Sequence, residues 1–295
     1  DKNYSYDEFL SDAQTLTQKH ASKVEMGVFG KSTFNRELIY FAIGAQNAQK
    51  KILVVSGISG TEGALSLLAI KQIETYLEDL TRKYKNVTYQ QILDKCCIYF
   101  VPMLNPDGIE IAIKGAEACE GYKEADIEIC KGDFSLWSAN ARGVDINHNF
   151  NADWYSLREA EKEAGINAPS PSRFGGQFPE SEPETKAITR LCRNISIDML
   201  ITFHSQGEEI FYEYGKNTPE KALHIAKMLS GLTDYTLVKN EGLYSSGGLK
   251  DWFIEEFGRP AFTVEIGKGK NPLPLEDIDA IYERLESMMV VGMMV

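Results

Sequence analysis

Five side chains in this sequence could do chemistry together: Ser59, Glu62, Asn105, His204 and Glu265. Each lies where a strand-like apolar run gives way to a turn, and in an open parallel sheet such ends line one crevice. Glu265 falls inside the run Phe262-Thr-Val-Glu-Ile266, where a buried carboxylate is costly unless it is paired or coordinated. A glutamate and a histidine converging with a second glutamate would suit a metal-activated water with a carboxylate base beside it. Blander readings stand next to this one. His204 could be a satisfied core histidine, Glu62 a charge favoured at a helix N-terminus, and Gly57, Gly60 and Gly63 simply the makers of a turn. A third chemistry is also open, because Gly57-Ile-Ser-Gly-Thr61 nearly matches the nucleophile elbow G-x-S-x-G of serine hydrolases. There Thr61 replaces the last glycine, His204 would be the base, and no acid partner is evident.

The elements that must position these groups can be read from pattern. Residues 52–55 are a short β-branched run suited to a strand buried on both faces. Leu65, Leu68, Ile70, Ile73, Tyr76, Leu77 and Leu80 then recur at helical spacing, so Ser59 and Glu62 occupy a strand-to-helix turn. Ahead of them an amphipathic helix is expected over 4–20 and two strands, joined by a turn, over 24–29 and 38–43. A strand over 96–102 ends in the turn signal Asn105-Pro-Asp-Gly108. Residues 109–137 read as a polar insertion, Arg142 is expected in a strand, and a Pro-, Ser- and Gly-rich loop follows through 178. Ser181-Glu-Pro-Glu184 has capping-box spacing and opens a helix to about 194. A buried strand over 197–203 ends on His204, and helices are expected over 219–232 and 249–257, the second preceded by a loop over 242–248. The last strand, 260–266, carries Glu265 at its C-terminal end, and 288–295 reads as part of a final helix on the core. Alternating strands and helices without repeats predict an α/β fold: a single domain over 1–295, with a mostly parallel mixed sheet flanked by helices.

Composition narrows the partners. The 295 residues are 43% hydrophobic and 25% charged, as in soluble globular proteins. A net charge of −12 argues against a nucleic-acid partner, and no apolar stretch is long enough for a membrane span. No signal peptide is visible, and a start at Asp1 leaves open that a segment was removed, so cytoplasmic and secreted locations both stay compatible. The five cysteines are an odd number. Cys96 and Cys97 are adjacent in a strand and point to opposite faces, unlike a zinc knuckle. Cys119 and Cys130 share the insertion and could bridge in an oxidising compartment, although free thiols are the expectation.

Several stretches together make the chain recognisable. They are Gly57-Ile-Ser-Gly-Thr-Glu-Gly63, Asn105-Pro-Asp-Gly108, Asn140-Ala-Arg-Gly-Val-Asp-Ile-Asn147, Phe178-Pro-Glu-Ser-Glu-Pro-Glu184, Phe203-His-Ser-Gln-Gly-Glu-Glu-Ile210 and Thr263-Val-Glu-Ile-Gly267. In this order they resemble the zinc carboxypeptidases of peptidase family M14, along nearly the whole chain. The wording is nearest the bacterial branch that cleaves γ-D-glutamyl-diamino acid bonds in cell-wall peptides. The resemblance implies a zinc cofactor held by a His-x-x-Glu…His set, of which Glu62 and His204 match two members. Glu265 matches the catalytic carboxylate that takes a proton from the attacking water and hands it to the leaving amine. Asn147 matches a residue that holds the substrate's terminal carboxylate. Tyr244 stands one residue from the place of the substrate-capping tyrosine, and Gln206 is the expected substrate contact of the 204–209 segment.

The chain also departs from the family. Ser59 stands where the first histidine ligand is expected, and a neutral hydroxyl is a poor zinc donor. His148 replaces an arginine of the substrate-binding motif, and Ser138 stands at the place of the oxyanion-stabilising arginine. Arg142 is near in sequence but is not expected to take that role. Three functions follow. One is a zinc metallocarboxypeptidase acting on short, peptidoglycan-derived peptides with a metal site weakened at Ser59. Another is a catalytically impaired protein that binds such peptides in the same cleft. The remotest is a serine hydrolase using Ser59.

Overall fold

The computed structural model describes residues 3–239 and 247–295. Among these residues ten strands form: β1 (Val24–Lys31), β2 (Glu37–Gly44), β3 (Lys50–Val55), β4 (Lys83–Tyr84), β5 (Val87–Thr88), β6 (Cys96–Val101), β7 (Met199–Ser205), β8 (Glu209–Phe211), β9 (Thr236–Val238) and β10 (Ala261–Ile266). Strands β4 and β5 make a small separate ribbon. The other eight form one sheet in the order β1-β2-β6-β3-β7-β10-β8-β9. Its centre, β6-β3-β7-β10, is parallel throughout, while β1, β2 and β8 pair antiparallel to their inner neighbours. The fold is the α/β arrangement expected, with a mixed sheet between helical layers.

Among the described residues ten α-helices accompany it: α1 (Tyr6–Lys19), α2 (Gly63–Glu78), α3 (Tyr89–Lys95), α4 (Pro106–Lys114), α5 (Lys123–Cys130), α6 (Trp154–Glu163), α7 (Pro183–Ile195), α8 (Glu220–Thr233), α9 (Leu249–Phe257) and α10 (Ile278–Val291). Alternation in β3 sorts the two faces. Ile52 and Val54 join a core with Leu65, Leu68 and Ile73 of α2, Leu229 of α8 and Leu285 of α10. Leu53 and Val55 face the other way, onto Ile188 and Leu191 of α7 and Trp252 and Phe253 of α9. Both faces are therefore covered, as a central parallel sheet requires.

Several local expectations change. The turn signal at Asn105 is a helix start: its side chain accepts from Gly108 N at 2.9 Å, with Pro106 in the first turn of α4. The stretch read as polar from 109 thus begins as a helix with Ile109 and Ile111 fully buried. It continues to a small core of its own around Trp137, Phe134 and Cys119. Helix α6 lies inside what reads as a loop, because Trp154, Leu157 and Ala160 give one narrow apolar face among charges. Arg142 lies in a turn rather than a strand. The final helix starts at Ile278, ten residues before the apolar tail that betrays it. All five cysteines are buried. Among the described residues, no helix is long and apolar enough to cross a membrane.

Candidate functional site

After β3 the chain turns at Ser59 and makes a single helical turn, Gly60–Glu62, before entering α2. That turn closes on itself: Ser59 N donates to Glu62 Oε2 at 3.2 Å, and Ser59 Oγ lies 3.0 Å from Thr61 Oγ1. It is also pinned from outside. Gly60 N donates to Ser138 O at 3.0 Å, and any Cβ on Gly60 would stand 2.6 Å from Gly108 O, so only glycine allows this approach. Ser138 is thereby set against the turn that carries Glu62.

The other half of the site comes from strand ends. His204 on β7 is in register with Glu265 on β10, and Glu265 in turn with Glu209 on β8. Side chains in register on neighbouring strands leave the same face of a sheet, so His204, Glu265 and Glu209 form a row. Glu62 closes on one end of it. Its Oε1 lies 3.2 Å from His204 Nδ1 and accepts from Ser205 N at 3.0 Å. Both partners are almost fully buried, Glu62 at 2% exposure and His204 at 6%. Burial works against a charged His204, but Glu62, with its hydrogen bond and then Glu265, outweighs it and holds the pKa up at about 9. Burial raises Glu265 to about 7; His204 opposes that rise, while Glu62 and Glu209 add to it.

Other sequence-derived candidates fall at varying places. Asn147 sits in a turn capped by Asp145, and its Oδ1 accepts from Leu249 N at 3.3 Å, the first residue of α9. Among the described residues, the Asn147 amide nitrogen has no hydrogen-bond partner. His148 is committed elsewhere: its Nδ1 lies 2.8 Å from Glu161 Oε1 on α6, where Arg158 pairs with the same glutamate. Burial disfavours the His148 charge, yet Asp145 and then Glu161 prevail and raise its pKa. Arg142 is exposed, 3.9 Å from Glu182. Gln206 is exposed immediately after β7. Tyr244 lies outside the described residues. Glu209 ends the 204–209 segment expected to contact substrate, but residue order does not single it out, since β8 is only three residues long, and the Ser205 amide is a backbone donor that leaves no trace in residue type.

Could these residues hold a zinc ion? A catalytic zinc takes three protein ligands and keeps a fourth place for water. Glu62 and His204 offer two converging donors. At the third place Ser59 presents a neutral hydroxyl already bonded to Thr61. Among the described residues, no three of His, Cys, Asp and Glu come together as a metal-holding group. The set present does not fit a resident catalytic zinc.

Comparison with known proteins places this geometry in context. The zinc carboxypeptidase (peptidase M14) family profile matches residues 9–286. The chain is 29% identical over 296 residues to γ-D-glutamyl-L-diamino acid endopeptidase 1 of Lysinibacillus sphaericus, covering 99% of this chain and 72% of that protein. Its fold is similar to that of thrombin-activatable fibrinolysis inhibitor, with a TM-score of 0.81 at 19% identity, covering 100% of this chain and 74% of the other. It is also similar to murein-tripeptide amidase MpaA of Escherichia coli O157, with a TM-score of 0.55 at 19% identity, covering 90% of this chain and 89% of the other.

Proposed function

The chain belongs to the zinc carboxypeptidase family, peptidase M14, and from that premise we propose that its cleft binds short peptides of the peptidoglycan type without retaining the metal its relatives use. The carrying observation is Ser59, whose hydroxyl is bonded to Thr61 at the place where a third strong donor is needed beside Glu62 and His204. The substrate class draws support from the bacterial relative named for the γ-D-glutamyl-L-diamino acid bond. In this reading Asn147 receives the ligand's terminal carboxylate through its amide nitrogen. Gln206 contacts the ligand from the exposed loop after β7. Glu265 faces the scissile amide, placed to take a proton from water and pass it to a leaving amine.

A second reading, turnover by the chain as it stands, is favoured by Glu265 itself. A carboxylate raised to about 7 and kept in a row with His204 is what a general base near neutrality needs. The serine-hydrolase reading has no such support: Ser59 Oγ bonds Thr61, while His204 Nδ1 faces Glu62.

One experiment separates the two. Wild type and Ser59→His are loaded with zinc at equal concentration, dialysed, and assayed for metal content, peptide binding and amide hydrolysis. The expected result is peptide binding by both, with zinc and hydrolysis only in Ser59→His. Hydrolysis by zinc-loaded wild type at a rate matching the variant favours turnover. If Ser59→His gains neither zinc nor activity, the ligand assignment fails.

A further inference from the structure

Glu208 and Glu209 are adjacent acids with opposite circumstances. Glu208 is neutralised inside the protein, by Arg284 at 2.7 Å and Lys268 at 2.9 Å. Glu209 is half-buried, and among the described residues its carboxylate takes part in no hydrogen bond or ion pair. A Cβ on Gly207 would stand 3.4 Å from Glu209 Oε2, so the carboxylate lies beside the exposed Gln206–Gly207 backbone. Across the sheet it is directly opposite Glu265, with Cβ atoms about 4.5–5.5 Å apart in such a pair.

Like charges in register destabilise each other, and partial burial removes some of the water that would screen them. His204 offsets part of this repulsion at Glu265, but it is hydrogen-bonded to Glu62, and among the described residues no cation pairs with Glu209. Ser138, set against the Glu62 turn, adds no positive charge. The row therefore ends, at Glu209, in a carboxylate that no described residue pairs with, beside exposed backbone.

We infer that Glu209 is a specificity-determining residue, pairing with a free ammonium group on the ligand residue next to the scissile amide, as the second amine of a diamino acid would supply. The inference rests on the peptide-binding reading above and narrows it. A cation beside Glu209 relieves the repulsion that it shares with Glu265, whereas an acylated amine leaves that repulsion in place.

The test titrates wild type, Glu209→Gln and Glu209→Lys calorimetrically with L-alanyl-γ-D-glutamyl-L-lysine and with its Nε-acetylated counterpart. Wild type is expected to favour the free amine by about tenfold, less at high salt. Glu209→Gln binds both peptides alike, and Glu209→Lys prefers the acetylated one. Equal wild-type affinities, or a preference that survives in Glu209→Gln, overturn the role of Glu209 while leaving peptide binding intact. Binding of neither peptide by wild type overturns the peptide-binding reading, and this inference with it.

Discussion

Glu62 Oε1 stands 3.2 Å from His204 Nδ1, although 142 positions separate the two in sequence. Both are buried, the Ser205 amide reaches the same oxygen, and Ser59 N holds the other carboxylate oxygen. Glu62 is thus satisfied by the protein alone, and its contact with His204 holds the imidazole pKa up.

Removing the Glu62 charge takes away what holds the His204 proton at a buried site and weakens the acceptor of the Ser205 amide. Glu62→Gln is expected to destabilise the fold by roughly 2–3 kcal/mol. Ser59→Ala, which deletes only a weak local acceptor, should cost about 1 kcal/mol. Urea unfolding of both variants checks the contrast, and near-equal losses would mean that the pair contributes little.

Restoring a third donor should couple metal to stability. Ser59→His with zinc is expected to melt several degrees above its chelator-treated form, since metal held only by the folded state stabilises it. Wild type should show little difference. Differential scanning fluorimetry with and without chelator reads this without any activity assay.

A pH effect arises away from the site. Glu184, at the start of α7, is fully buried, and its Oε1 has no hydrogen-bond partner. Burial first, and Asp107 after it, raise its pKa to about 8. A raised carboxyl pKa favours the protonated form in the folded chain. Its stabilising contribution is complete below the unfolded value of about 4.5 and is lost as pH climbs through about 8. Between those limits stability should fall by up to about 1.4 kcal/mol per pH unit from this group. Glu184→Gln should flatten that slope, and chemical denaturation from pH 5 to 9 measures it.

Asn105 joins three segments. It caps α4 through Gly108 N, and its amide nitrogen donates to Ile58 O and Ala139 O, both at 3.1 Å. Asn105→Ala should cost about 2–4 kcal/mol from the lost cap and the carbonyls left unpaired. Because those carbonyls flank the Glu62 turn and Ser138, peptide affinity should fall as well. Unchanged affinity in a folded variant would show that the turn holds its place without Asn105.

Much of this was legible from residue order because it depends on local pattern. The buried run of β3, the turn at Ser59–Glu62, β7 ending on His204 and Glu265 on β10 all announce themselves through short apolar stretches broken by polar residues. Helix α6 hides in the sequence because its apolar face is narrow, and β8 because three residues carry no periodicity. Asn105 looks like a turn maker because Asn, Pro, Asp and Gly mark helix starts and turns alike.

The sequence by itself determined the family, the α/β class and which glutamates and histidine to watch, and it showed that a serine stands where a third metal donor is expected. Only the tertiary structure decided that Glu62 faces His204, that Ser138 abuts the Glu62 turn, that His148 is held by Glu161, and that Glu209 lies opposite Glu265. The physical reason is that residue types and short-range periodicity fix elements, whereas partnership between charges depends on strand register and on the crossing of distant segments. Neither of those is written in any local window of the chain.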